Sequence, residues 1–220
     1  MEKNMPIKNF IFDFDGTLAD SGETGVLATQ SAFKQLGYSE PSKSLIEYYM
    51  GVPIEESFKK MNPDYTYTER EFQTLLSTFR KLYQSIEQEN MTTFPNIPLV
   101  LSKLHQHQKK IFVVSSKHST PLQRNLQQLN IDQYFDGVSG FDQVEHYKPA
   151  PDGILLIERQ FNLISDETIM IGDAIFDVQM GQAAHVKTAA VTWGAHDLKM
   201  LVGSKPDYIF EQVNDILSLQ

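Results

Sequence analysis

Ile7-Lys8-Asn9-Phe10-Ile11-Phe12-Asp13-Phe14-Asp15-Gly16-Thr17-Leu18-Ala19-Asp20 is the stretch from which the rest of the chain can be read. Ile7–Phe12 is short and apolar, the pattern of a strand buried on both faces of a parallel sheet. Two carboxylates, Asp13 and Asp15, leave its end two residues apart, and Gly16 then lets the backbone turn. Carboxylates that face one crevice repel, so such a pair calls for a cation or a shared proton. A polar strand-to-loop transition can look the same, so the motif takes its meaning from what surrounds it.

Three further clusters follow strand-like segments downstream. Ser115-Ser116-Lys117 comes after Lys110–Val114, where a hydroxyl can donate to a phosphoryl oxygen or simply cap a turn. Lys148-Pro149-Ala150-Pro151-Asp152 holds a lysine beside prolines, a fixed cation ahead of a helix. Gly172-Asp173-Ala174-Ile175-Phe176-Asp177 ends the strand Thr168–Ile171 with two carboxylates about one helical turn apart, hard oxygen ligands suited to Mg²⁺.

Between the first motif and these clusters, about Ser21 to Met91, the signals are helical. Thr68-Glu69-Arg70-Glu71 is a capping box, and Phe72, Leu75, Leu76, Phe79, Leu82 and Ile86 form an apolar stripe behind it. Gly37 and Pro41 end an earlier helix. Thr93–Pro98 reads as a linker. Beyond it strands and helices alternate: helix Pro121–Leu129 capped by Thr120, strand Tyr134–Ser139, helices Pro151–Phe161 and Ile175–Ala184, strands Thr188–Thr192 and Asp207–Phe210, and a closing helix Gln212–Leu219. Repeated β-α units predict a parallel sheet covered on both faces, with ligands at its carboxyl edge.

Composition agrees with a globular chain. Of 220 residues, 41% are hydrophobic and 21% charged, enough for a real core. The net charge of −9 repels nucleic-acid phosphates and anionic lipid, so neither is expected as a partner, whereas a small anionic substrate can still be drawn to a local site. There is no cysteine and hence no disulfide, which fits a reducing cytoplasm. Met1–Phe10 lacks a signal-peptide apolar stretch, and no apolar run approaches membrane-spanning length. The chain is expected to be soluble and cytoplasmic, as a monomer or weak dimer.

The order Asp-x-Asp-Gly-Thr, Ser, Lys-Pro, Gly-Asp-x-x-x-Asp, each after its own strand, resembles the haloacid dehalogenase-like superfamily over nearly the whole chain. The helical block after the first strand is similar to its helical-cap subgroup, which holds phosphoglycolate-phosphatase-like and β-phosphoglucomutase-like enzymes. The implied fold class is α/β. A Rossmann-like parallel sheet core (1–20 and 93–220) carries a helical cap domain (21–92) inserted after the first strand. The resemblance implies that Asp13 attacks phosphorus and that Asp15 protonates the leaving oxygen and then deprotonates the hydrolytic water. Ser115, with Ser116 beside it, and Lys148 would bind the phosphoryl group. Asp13, the backbone carbonyl of Asp15 and Asp173 would hold Mg²⁺, with Asp177 behind them. A cap joined at about Asp20–Gly25 and Thr92–Pro98 is expected to open and close.

The implied activity is hydrolysis of a small phosphomonoester (phosphoglycolate-like, sugar phosphate or nucleotide), with a sugar-phosphate mutase or a pyrophosphatase as alternatives. Against the mutase stand Thr17, where mutases commonly carry Val or Ile; Gly25, where they carry a His; and Gly51-Val52-Pro53-Ile54-Glu55, which lacks their Arg. Three positions depart from the usual pattern: Ala174 for a hydroxyl residue, His185 for a Gly that closes a helix, and Asn96-Ile97 for Pro-Gly at the return linker. Of the other candidates, His105 and His107 lie two apart and share no helix face, so they do not form a metal site. His118 is a helix-start residue near the Ser115 loop. Trp193 is expected in the core, and Tyr48–Pro53 as a connector that resembles the cap's specificity loop.

Overall fold

The computed structural model describes residues 6–219, so the first half of the polar Met1–Phe10 segment lies outside the described residues. The first strand, β1 (Asn9–Phe12), is followed by β2 (Ala19–Asp20). Four helices come next: α1 (Gly22–Gln35), α2 (Lys43–Tyr48), α3 (Ile54–Met61) and α4 (Glu69–Asn90). The chain returns through β3 (Thr92–Thr93) and runs on as α5 (Ile97–Gln106), β4 (Lys110–Val114), α6 (Ser119–Gln128) and β5 (Gly137–Ser139). It ends with α7 (Asp152–Phe161), β6 (Thr168–Gly172), α8 (Ile175–Ala183), β7 (Lys187–Val191), α9 (Leu198–Gly203) and β8 (Tyr208–Phe210).

Six strands form one parallel sheet in the order β5-β4-β1-β6-β7-β8. In β1 the side chains alternate between two buried faces. Phe10 and Phe12 join Val100, Leu101, Leu122 and Leu126 on one side, while Ile11 joins Ile154, Ile157 and Met180 on the other. Full burial on both sides is why these strands read as continuous apolar runs. Register places Phe12 opposite Val113 and Ile171, so the ends of β4, β1 and β6 lie level. The residues that follow them, Ser115, Asp13 and Asp173, therefore emerge along one edge.

The helical insert is tied to the sheet by the antiparallel β2–β3 pair, Ala19 against Thr93 and Asp20 against Thr92. It packs its own apolar cluster around Phe33, Phe58, Leu75, Leu76 and Phe79. The capping box opens α4 as expected: Glu71 N–H donates to Thr68 Oγ1 at 3.3 Å and Thr68 N–H to Glu71 Oε2 at 2.8 Å. Among the described residues no helix is long and apolar enough to cross a membrane.

Several boundaries differ from the sequence reading. Residues 132–134 form a 3₁₀ turn, and the expected strand Tyr134–Ser139 shrinks to β5, because the Asp136 carboxylate accepts the Ile111 N–H at 2.8 Å. The linker read over Thr93–Pro98 ends early: Ile97 and Pro98 already belong to α5, entered from Asn96 at φ 70°. His118, not Thr120, caps α6, its Nδ1 accepting from Thr120 N–H at 3.3 Å. The closing segment is a 3₁₀ helix over Val213–Leu219. His185 adopts φ 59°, the left-handed conformation that most often falls to Gly at a helix end.

Candidate active site

At the carboxyl ends of β1 and β6 three buried carboxylates converge. One oxygen each from Asp13, Asp173 and Asp177 lies within 4.8 Å of the others. Lys148 offsets them, its ammonium donating to Asp13 Oδ1 at 2.5 Å and Asp177 Oδ1 at 2.6 Å. All four residues are almost completely shielded from water. Burial pushes the Asp13 carboxyl well above its ordinary value, and Asp177 and Asp173 add to the rise while Lys148 opposes it. Burial, with Asp177 beside it, also lifts Asp173, to about 7. For Lys148 burial works against the charge, but the facing carboxylates more than reverse it and hold the ammonium above its usual value. Three carboxylates against one ammonium leave a local excess of negative charge.

The donor set is all hard oxygen, which fits Mg²⁺ better than zinc. Asp173 is held in place by Thr17 Oγ1 at 3.0 Å and the Ala195 N–H at 2.6 Å. Thr17 is in turn fixed by Trp193, whose indole N–H donates to its carbonyl at 3.1 Å. At Ala174, the backbone N–H donates to Asp177 Oδ2 at 3.0 Å. Gly194 passes so close that an added Cβ would fall 2.2 Å from Asp173 Cβ. Gly194→Ala is therefore expected to cost about 1–3 kcal/mol by overpacking. Denaturant unfolding measures this, and an unchanged midpoint would show that the loop yields freely.

Asp15 sits apart from that cluster and faces the cap. Its Oδ1 accepts from Ser21 Oγ at 2.7 Å, Lys117 Nζ at 2.9 Å and Tyr83 OH at 3.2 Å. Lys117 lies over the rings of Phe14 and Tyr83 and also donates to Asn125 Oδ1 at 3.1 Å. Burial alone would lower its pKa, but Asp15 and Tyr83 raise it above the normal lysine value. Asn125 then reaches Glu87 of α4, which also pairs with Arg124. Ser115 accepts the Lys117 N–H at 3.1 Å, which leaves its own O–H for an acceptor in the cleft. Ser116 Oγ donates to the carbonyl of Gly51 at 2.6 Å, and His196 Nε2 lies 3.1 Å from the carbonyl of Tyr48. Both join the cap loop Tyr48–Pro53 to the core.

Of the residues singled out in the sequence, Asp13, Lys148, Asp173 and Asp177 form one cluster, while Asp15 and Ser115 join them along the same cavity wall or strand ends. His118 lines the cavity mouth and caps α6. Tyr83, Glu87, Asn125 and His196 carried no local sequence signal, and Lys117 was visible only as the third residue of its motif.

Fold and site together define a Rossmann-like α/β protein with a helical cap over a carboxylate-lined cleft. The chain belongs to the haloacid dehalogenase-like hydrolase family, whose profile matches residues 10–191. It is 29% identical over 216 residues to pyrophosphatase PpaX of Oceanobacillus iheyensis, covering 98% of this chain and 97% of that one. A hydrolase of the haloacid dehalogenase-like family from Streptococcus pneumoniae superposes with a TM-score of 0.83 at 27% identity, covering 96% and 97% of the two chains. A structure from Haemophilus somnus, described as a predicted phosphoglycolate phosphatase, shares the fold with a TM-score of 0.88 at 24% identity, covering 97% of both.

Proposed function

We propose that this hydrolase is a Mg²⁺-dependent phosphatase that cleaves a small phosphomonoester through an aspartyl-phosphate on Asp13. The observation that carries the reading is the buried Asp13–Lys148–Asp177 arrangement beside Asp173. A carboxylate nucleophile approaches a phosphate only if fixed positive charge offsets both, and Lys148 supplies part of it at 2.5 Å from Asp13. Asp13 and Asp173 are the side chains that would hold Mg²⁺, with Asp177 behind them, together with the Asp15 carbonyl implied by the family pattern. Bound there, the ion would supply Lewis-acid stabilisation of phosphoryl charge.

In the proposed sequence an Asp13 oxygen attacks phosphorus, the bond to the leaving oxygen breaks, and Asp15 gives that oxygen its proton. Asp15 then takes a proton from water as the water attacks the aspartyl-phosphate, and phosphate leaves. Splitting the displacement lowers each barrier. Asp15 lies at the seam where the cap meets the core, its Oδ1 accepting from Ser21, Tyr83 and Lys117. Ser115 would hold a phosphoryl oxygen. The cap excludes bulk water when closed and must part to admit substrate.

Phosphate release from p-nitrophenyl phosphate with Mg²⁺, lost on chelation, tests the reading. Chelator-treated enzyme at full rate would refute it. Binding is checked separately by unfolding: saturating Mg²⁺ at about 100 times its Kd is expected to add about 2.7 kcal/mol of stability. Asp173→Asn is expected to lose most of that gain. Equal Mg²⁺ stabilisation of both proteins would place the ion elsewhere.

A further inference from the structure

We infer that the leaving group is an uncharged alcohol with a large apolar body, and not a second phosphate or a carboxylate. This rests on the phosphatase reading above and concerns the side of the cleft away from phosphorus. A cavity of about 530 Å³ runs from Asp13, Asp15 and Ser115 up between the core and the cap. That is the size of sites that enclose a drug-sized organic ligand. Much of its wall is apolar and aromatic, with Tyr49, Met50, Val52, Phe58, Phe79 and Phe141 among the lining residues. A small inorganic or two-carbon leaving group would leave most of that surface without a partner.

Charge points the same way. The cationic side chains that line the cavity already face carboxylates. Arg80 donates to Glu55 Oε1 at 2.6 Å, Lys117 to Asp15 Oδ1 at 2.9 Å, and Arg124 to Glu87. His118 Nε2 lies 3.6 Å from Asp142 Oδ2. An anionic leaving group would have to share a cation that already faces a carboxylate, and would be brought close to that carboxylate's charge. Glu55 goes further: its second oxygen, Oε2, is buried and has no hydrogen-bond partner among the described residues. A carboxylate oxygen left without a donor repels an anion brought to this end of the cavity.

The test compares esters that share one CH₂–O–P linkage, so that intrinsic leaving-group reactivity is held nearly constant. Benzyl phosphate, 4-(hydroxymethyl)benzyl phosphate and 4-carboxybenzyl phosphate are assayed beside phosphoglycolate and pyrophosphate, all with Mg²⁺. The two esters with uncharged leaving groups, benzyl and 4-(hydroxymethyl)benzyl phosphate, are each expected to exceed the three substrates with anionic leaving groups in kcat/KM by roughly tenfold or more. Glu55→Gln removes the repulsion and frees Arg80. It is expected to raise the ratio of 4-carboxybenzyl to benzyl phosphate kcat/KM by about tenfold. Pyrophosphate or phosphoglycolate turned over as well as benzyl phosphate would overturn the inference and leave the phosphatase reading intact. An unchanged ratio in Glu55→Gln would overturn it as well. No phosphate from any of the five compounds would instead overturn the phosphatase reading on which it stands.

Discussion

Asp13→Asn is expected to lower turnover by on the order of 10³–10⁶-fold while the protein stays folded. The change keeps the side chain's shape and removes one nucleophilic oxygen. It also removes one of three carboxylates that crowd within 4.8 Å of one another. Burial and the two neighbouring aspartates push the Asp13 carboxyl above its ordinary value, so its charge is held at a cost in the metal-free protein. Lys148 keeps its second partner, Asp177, at 2.6 Å, and no buried ammonium is orphaned. The midpoint of unfolding without metal is therefore expected to equal or exceed that of the parent protein. Acid-quenched parent enzyme should carry hydroxylamine-labile phosphate, and the variant none. More than about a tenth of the parent rate in the variant would remove Asp13 as nucleophile.

The placement of the candidate site residues was legible in the sequence for a physical reason. In a parallel sheet the catalytic side chains follow the last residues of buried strands, so each motif is a short apolar run with polar residues at its end. Asp13, Ser115 and Asp173 could thus be placed on one edge before the register of β4, β1 and β6 was known. The capping box at Thr68 was equally plain, because both of its hydrogen bonds are local. What escaped depends on pairing between distant segments. Glu87 looks like any solvated helix glutamate, yet it is fully buried against Arg124 and Asn125, 37 and 38 residues later. Tyr83 sits on the apolar side of α4, and only the docking of that helix on the core brings its hydroxyl to Asp15. His196 follows a strand end with no motif of its own, and its ring nitrogens reach Ile175 on the core and Tyr48 on the cap. The boundary at β5 was missed because the Asp136 side chain, not a backbone carbonyl, takes the Ile111 N–H.

Lys148→Met is expected to damage both stability and rate, and the two effects separate when Mg²⁺ is added. The lysine is 3% exposed and spans two carboxylates, Asp13 and Asp177, at 2.5 and 2.6 Å. Methionine fills much of the same volume but carries no charge, so both carboxylates lose their partner in a place water does not reach. Removing one member of a buried ion pair in this way costs about 3–5 kcal/mol. In metal-free buffer the variant should unfold correspondingly earlier. A divalent ion at the same carboxylates would restore part of the missing positive charge, so Mg²⁺ should stabilise the variant more than it does the parent protein. The rate should not follow. Phosphoryl transfer needs positive charge on the nucleophile side fixed in place before reaction, and loss of one such group costs on the order of 10²–10³-fold. Unfolding by denaturant with and without Mg²⁺, and phosphate release at saturating Mg²⁺, measure the two parts. Unchanged stability without metal would mean that the carboxylates do not depend on Lys148. A rate restored by Mg²⁺ to within tenfold of the parent would mean that the lysine serves the fold and not the reaction.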